Sequence, residues 1–264
     1  MKNQSMADIA GIVGVVPMRT EPSHRTEMVS QLLFGEIAEI TDYYLTGAGS
    51  FTKIKCLYDG YEGWCQSSQL VVLDSAVQAQ LEISLTADFT NTLLLNGTEM
   101  RVPFGASLGL FNNRQWNIGK FNFQYEGTIA KPNADLFTPD YIKHIANTYL
   151  HTPYLWGGRS VFGIDCSGFS QQVYRFFNKY LPRDAYQQVL LGEVVGFLQE
   201  VVCGDLAFFD NEDGKITHVG IMLNTTEIIH ASGKVRIDKI DNMGVVHSDT
   251  GERTHRLRVI KRYQ

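Results

Sequence analysis

The chain has 264 residues, 44% of them hydrophobic and 19% charged, which is the composition of a globular protein long enough for two or three compact domains. Its formal charge of −5, with no lysine and arginine cluster, excludes the electrostatic footprint of a nucleic-acid or anionic-membrane binder. No run is long and apolar enough to span a bilayer, so neither nucleic acid nor membrane is expected as a partner.

Residues 1 to 19 carry one early lysine and a weak apolar stretch interrupted by Asp8, which makes a poor signal peptide and points to a cytoplasmic protein. Residues 10 to 73 then read as short strands: Gly14 to Arg19, Leu32 to Ile40, Phe51 to Cys56 and Gly63-Trp64-Cys65, with Asp59-Gly60 as a turn. This is the pattern of a small barrel. A weaker copy runs from about 76 to 131, where Val102-Pro103-Phe104-Gly105-Ala106-Ser107-Leu108 echoes the first copy and Gln124-Tyr125-Glu126-Gly127 replaces its Gly-Trp turn. Lys131-Pro132-Asn133-Ala134-Asp135 reads as a linker, after which Thr138-Pro139-Asp140 starts a helix with Ile142, Ile145, Ala146 and Tyr149 on one stripe. The expected domains are therefore residues 1–75, 76–131 and 132–264.

In the third domain Asp165-Cys166-Ser167-Gly168 enters an apolar helix whose inward positions are Phe169, Val173, Phe176 and Phe177. Cys166 thus falls in a first helical turn, where unpaired amides and the positive end of the macrodipole favour a thiolate. Such surroundings lower a cysteine pKa from roughly 8.5 into the range of about 3.5 to 7.5. A lone cysteine is usually a small buried hydrophobe. Here polar Asp165 and Ser167, the flexible Gly163 and Gly168, and Tyr154-Leu155-Trp156-Gly157-Gly158 just upstream resemble instead the wall of a cleft.

Downstream, residues 216 to 223 alternate as a strand, which turns His218 away from Val219 and Ile221 and leaves Gly220 as its same-face neighbour. His230 follows in the next apolar run, after the turn residues 224 to 227. Antiparallel pairing of the two runs would bring the rings together. His218 is then the general base for Cys166, and His230 fixes its tautomer, as the third group does in a Ser-His-Asp triad. Zinc is the competing use of these residue types, but no C-x-x-C pair occurs and Cys56, Cys65 and Cys203 are scattered. The reading calls for no metal and no cofactor. Four cysteines outside any framework spacing favour free thiols, although Cys56 and Cys65 stand close enough in sequence to pair.

Residues 153 to 233 resemble the NlpC family of papain-like cysteine peptidases, through Pro153-Tyr154-Leu155-Trp156-Gly157-Gly158, Asp165-Cys166-Ser167-Gly168-Phe169, Pro182-Arg183-Asp184, Gly204-Asp205-Leu206, His218-Val219-Gly220-Ile221 and Ile229-His230-Ala231. The front half resembles bacterial SH3-like domains, through Leu33-Phe34-Gly35-Glu36 and Tyr58-Asp59-Gly60-Tyr61-Glu62-Gly63-Trp64. The resemblance implies an α+β papain-like domain preceded by two SH3-like barrels. It also implies hydrolysis of the amide between γ-D-glutamate and a diamino acid in cell-wall peptides, with Cys166 as nucleophile, His218 as base and His230 as orienting residue. Trp156, Asp165 and Ser167 match substrate-contacting positions of the family.

The Cys166 amide is one candidate oxyanion donor, and no second is assigned. Barrels joined to such a peptidase act either as wall anchors or as a roof over the cleft. In the recycling branch of the family the first barrel admits only peptides with a free N-terminal L-alanine, and residues 30 to 36 and 59 to 64 are similar to that branch. On that resemblance Glu27 pairs with the substrate's amino terminus and Tyr61 reaches towards Cys166, while Arg183 and Asp184 meet the diamino acid. Each has a plainer use: Glu27 as a solvated carboxylate, Tyr61 as a barrel-surface aromatic, Asp184 as a helix cap. The expected substrate is a free murein tri- or tetrapeptide. A secreted hydrolase of intact wall and a non-catalytic wall-binding module are the alternatives.

Overall fold

The computed structural model describes residues 7–46, 49–74 and 83–263. The 75/76 boundary expected between the barrels, and residues 1–6 of the stretch read as a poor signal peptide, lie outside them. The chain divides into two compact units, Met1–Pro132 with Arg159–Val161, and Asn133–Gly158 with Phe162–Gln264.

In the first unit seven strands form one antiparallel sheet: β1 (Asp8–Gly11), β2 (Val15–Arg19), β3 (Met28–Leu33), β4 (Ile37–Thr46), β5 (Gly49–Cys56), β6 (Glu62–Gln66) and β7 (Leu70–Val72). Their spatial order is β3-β2-β6-β5-β4-β1-β7. Alternation buries Val16 and Met18 of β2, Ala38 and Ile40 of β4, and Ile54 and Cys56 of β5 in one core with Cys65. Both cysteines are buried free thiols.

Six further strands follow: β8 (Leu85–Thr86), β9 (Thr90–Leu95), β10 (Thr98–Pro103), β11 (Gln115–Ile118), β12 (Phe121–Tyr125) and β13 (Ile129–Ala130). They form a four-stranded sheet ordered β10-β9-β12-β11 and a β8–β13 ribbon. Asn96 and Gly97, both at positive φ, make the two-residue turn of the β9–β10 hairpin. Gly35 and Gly105 both adopt the left-handed region, at φ 71° and 76°.

Phe34 leaves the first sheet to join the core of the second. Its ring meets Phe123 at 5.3 Å and Trp116 at 6.1 Å. Beside it the buried Glu36 carboxylate accepts from the Leu33 amide (2.8 Å) and from both ends of the Arg159 guanidinium (2.9 and 3.2 Å). Arg159 opens the short strand β14 (Arg159–Ser160).

The second unit begins with α1 (Pro139–Thr148), where Thr138 is the N-cap, Pro139 occupies the first turn, and Ile142, Ile145 and Ala146 are buried. After β15 (Gly163–Ile164) come α2 (Cys166–Arg175) and α3 (Ala185–Gln188). The sheet comprises β16 (Glu193–Val195), β17 (Leu206–Asp210), β18 (Ile216–Met222), β19 (Glu227–Ser232), β20 (Lys234–Asp241), β21 (Gly244–Val246) and β22 (Arg253–Arg262). Its order is β16-β22-β17-β18-β19-β20-β21, and a β21–β22 pairing closes β17 to β22 into a barrel. Ala207, Phe209, Met222, Ile228, Ile240, Val245 and Ile260 fill its interior.

Helix α2 departs from the one-faced helix expected from sequence. Every residue from Cys166 to Arg175 is buried, Gln171 and Gln172 included, and the helix ends before Phe176 and Phe177. The helix is enclosed rather than laid on a surface, so its polar side chains share the interior with its apolar ones.

Candidate active site

Asp165 sets the start of α2. Its Oδ1 accepts from the Gly168 amide (2.7 Å), the N-cap bond that fixes where the helix begins. Its Oδ2 accepts from the Gly157 amide (2.9 Å), and Arg183 grips both oxygens at 3.0 and 2.5 Å. Arg183 also donates to Ser167 Oγ (2.9 Å). One buried ion pair therefore holds the residues on either side of Cys166.

Cys166 is only 7% exposed. Main-chain hydrogen bonds from Val219, the residue after His218, and from Ser167 pull its pKa down, as does Arg183. Burial and the neighbouring Asp165 charge outweigh them and push the thiol up to about 12. The thiolate expected from the helix terminus alone is thus corrected: the resting group is a protonated thiol. A helix end contributes a fraction of a charge, and here a full carboxylate sits beside the sulfur.

By strand parity His218 shares the inward face of Met222, His230 that of Ile228, and Asp238 that of Ile240. The three polar side chains occupy one end of the barrel interior and the apolar ones the other. Gly220 makes their approach possible, because a Cβ there would lie 2.6 Å from Ile228 Cδ1 and 2.8 Å from His230 Cβ. His218 Nε2 and His230 Nδ1 are 2.8 Å apart, and His230 Nε2 is 2.9 Å from Asp238 Oδ2. Asp238 also accepts from Arg236 Nε (2.8 Å) and the Ser248 amide (2.9 Å). These donors hold its carboxyl far below the usual range despite burial.

The direction of each bond follows from Asp238. A carboxylate only accepts, so His230 Nε2 carries the proton; burial holds this imidazole neutral, leaving Nδ1 as its acceptor. His218 Nε2–H is then the donor, and the lone pair of His218 lies on Nδ1. Burial first, then the neighbouring His230 and His255, keeps the His218 pKa well below its ordinary value, so the ring is a neutral base.

Two further rings complete the site. His255 of β22 stacks on His218 with centroids 4.2 Å apart at 28°. Burial first, then the neighbouring Cys166 and Asp165, raises the Tyr154 phenol well above the ordinary tyrosine value, so it remains an O–H donor. Tyr154, Thr217, His218, Ser232, Gly233 and His255 line a cleft of ≈ 270 Å³.

Of the residues expected from sequence, Cys166, Asp165, Ser167, Arg183, His218 and His230 gather in this region. Trp156 is 61% exposed. Asp184 caps α3 in a reciprocal box with Gln187. In the first unit Glu27 is exposed between β2 and β3, and the half-buried Tyr61 packs against the core of the seven-stranded sheet. Sequence reasoning missed Asp238 and His255, and placed Tyr154 in the cleft wall without a role of its own. A hairpin turning at Gly233, at φ 70°, pairs His230 with Arg236, and that register would have brought Asp238 next to His230.

Nitrogens of His218, His230 and His255 lie within 4.8 Å of one another, a spacing that suits a metal ion. Hydrogen bonds already engage His218 Nε2, both nitrogens of His230, and His255 Nδ1, the last to Thr254 Oγ1 (2.8 Å). His218 and His230, continued by Asp238, are arranged as a proton relay.

Residues 151–254 match the model of the NlpC/P60 family, and residues 18–70 that of the bacterial dipeptidyl-peptidase SH3 domain. A Bacillus subtilis γ-D-glutamyl-L-lysine dipeptidyl-peptidase is 42% identical over 180 residues, 65% of this chain and 60% of that protein. A Bacillus cereus protein of the same name is 27% identical over 75% of this chain and 65% of its own length. The chain thus spans less than two thirds of these two relatives. A probable endopeptidase of Haemophilus influenzae is 34% identical over 48% of this chain and 78% of that protein. In fold, the crystal structure of a Bacillus cereus NlpC/P60 family protein superposes with a TM-score of 0.79 at 20% identity, covering 97% of this chain and 99% of that one.

Proposed function

This chain belongs to the NlpC/P60 family, and from that premise we propose that it is a cysteine endopeptidase hydrolysing the γ-D-glutamyl to diamino acid amide of free cell-wall peptides such as L-Ala-γ-D-Glu-diaminopimelate. The observation that carries the reading is the directed relay from Asp238 through His230 to His218, on the strand whose Val219 amide bonds to Cys166.

The chemistry starts from a neutral thiol and a neutral imidazole. As Cys166 Sγ attacks the γ-carbonyl carbon, its proton passes to His218 Nδ1. The imidazolium that forms is stabilised through His230 by the Asp238 carboxylate. His218 then gives the proton to the departing amine, leaving a thioester. Water, deprotonated by the same nitrogen, attacks the thioester and releases the γ-carboxylate and the thiol. The Cys166 amide and the Tyr154 hydroxyl are the proposed oxyanion donors.

For substrate choice the reading assigns Glu27 to the free amino terminus and Tyr61 to the cleft. Support comes from the SH3-domain match over residues 18–70, which contains both, and from relatives named as dipeptidyl-peptidases, a name that fits release of an N-terminal dipeptide. A carboxylate facing an ammonium selects free amines, since an acylated terminus leaves that charge unpaired. Four free thiols suit a reducing, cytoplasmic setting.

The test is hydrolysis of L-Ala-γ-D-Glu-diaminopimelate, its lysine counterpart and the N-acetylated form of each, followed by mass spectrometry. Cleavage of the free peptides and not of the acetylated ones is expected. Equal rates on both would favour a hydrolase of intact wall. Cleavage of none would overturn the assignment.

A further inference from the structure

Nothing in the relay so far accounts for the third imidazole. We infer that His255 is a positioning residue whose ring covers the face of His218 and holds that imidazole in the plane from which Nε2 meets His230. The inference rests on the reading of His218 as the base.

The geometry carries it. An imidazole turns about a broad sp³–sp² torsion, so one hydrogen bond at Nε2 leaves the ring free to rock about that bond. Contacts on its faces remove this freedom. His255 stacks on His218 at 4.2 Å and 28°, and Phe209 meets it at 5.6 Å and 47°. His255 also stands edge-on to His230 at 5.5 Å and 85°, so it overlies both partners of the relay bond.

The stacking ring is itself anchored three ways. Strand pairing sets His255 opposite Val245, Thr254 Oγ1 holds its Nδ1 at 2.8 Å, and Phe209 meets its edge at 5.8 Å. It is half-buried and lines the cleft beside His218, which places it between the relay and water. It stands one residue beyond the stretch matched by the family model.

The charged and titratable groups around it are His218 from β18, His230 from β19, and Arg236 and Asp238 from β20. Burial, then His230 and Arg236, lower the His255 pKa to about 4, with Asp238 opposing. It is therefore a neutral ring near neutral pH, where stacking is its contribution, and its charge opposes protonation of His218 only in acid.

The test compares the full chain with His255→Ala and His255→Phe on the peptide of the functional assay. An aromatic pair of this kind corresponds to a loss of about 3- to 10-fold in kcat on truncation to alanine, with KM within about twofold. Phenylalanine keeps a stacking face and is expected to restore kcat to within about twofold. Water admitted to His218 in the alanine variant raises the pKa of that ring, so the acid limb of kcat/KM moves to higher pH, which a purely structural loss would not produce.

Titration of the His218 ring by NMR reads the same change without turnover: upward in the alanine variant, and upward by less in the phenylalanine variant, which loses the His255 charge but still keeps water from the ring. Wild-type kcat and an unmoved His218 titration in His255→Ala would overturn the inference, as would a folded phenylalanine variant as slow as the alanine one. Failure of the wild type to cleave any peptide strikes the functional reading instead, and the NMR titration still decides the role of His255.

Discussion

Replacing Asp238 by asparagine keeps an oxygen for His230 Nε2 and removes the charge behind it. The oxygen facing His230 and Arg236 must remain an acceptor, so the new NH2 group turns towards Ser248 and forfeits the bond from the Ser248 amide at a cost to folding stability, while the direction of the His230 to His218 bond is preserved. What is lost is the attraction between a carboxylate and the imidazolium that forms on His218 during attack. Two hydrogen bonds of 2.9 and 2.8 Å and one imidazole ring separate them. At a separation of roughly 8 Å and an effective dielectric of about 20, the interaction is about 2 kcal/mol, or about 30-fold in rate. Asp238→Asn is therefore expected to lower kcat about 30-fold with KM little changed. Asp238→Ala, which also removes the acceptor that fixes the His230 tautomer, should lose more, on the order of 10²- to 10³-fold. Steady-state kinetics on the free peptide, with circular dichroism to confirm folding, is the assay. An asparagine variant within threefold of wild type would refute the claim that the relay extends to Asp238.

Because burial keeps His218 neutral, its protonation should cut activity only well below pH 6.5, and a kcat/KM acid limb at or above 6.5 would contradict the assignment of the neutral base. A thiol pushed up to about 12 stays protonated through neutrality, so iodoacetamide alkylation of Cys166 should keep accelerating between about pH 7 and 10, whereas a plateau near neutrality would indicate a resting thiolate. Gly220→Ala forces a methyl to within 2.6 Å of Ile228 and 2.8 Å of His230, and is expected to cost about 1–3 kcal/mol in urea unfolding and to slow turnover. Arg183→Met leaves the buried Asp165 carboxylate without its guanidinium, and about 3–5 kcal/mol of destabilisation is expected in the same assay, with an unchanged midpoint counting against the clamp.

Local patterns carry much of the site. Strand alternation over residues 216 to 223 turns His218 from Val219 and Ile221 without any tertiary information, and the polar step at Asp165 ahead of an apolar run marks where α2 begins. Asp238 needed hairpin register as well as alternation, since its place beside His230 depends on the turn centring at Gly233. His255 needed more still. It reaches His218 only because β22 pairs with both β17 and β21 and closes the barrel, a contact between segments nearly 40 residues apart that no local period encodes. The protonation state of Cys166 was illegible for a different reason. Helix position is a local property, whereas burial and the grip of Arg183 on Asp165 emerge only once the chain is packed. The same holds for α2, whose polar side chains lie off the apolar stripe of the sequence and are buried only by the packed chain.

The proposed reaction runs through the Cys166 sulfur, and Cys166→Ala removes it with little change in side-chain volume. Release of the diamino acid from L-Ala-γ-D-Glu-diaminopimelate should fall to the buffer rate in that variant while its thermal unfolding stays close to wild type. Turnover within about tenfold of wild type would show that the amide is opened by some other group and would contradict the mechanism.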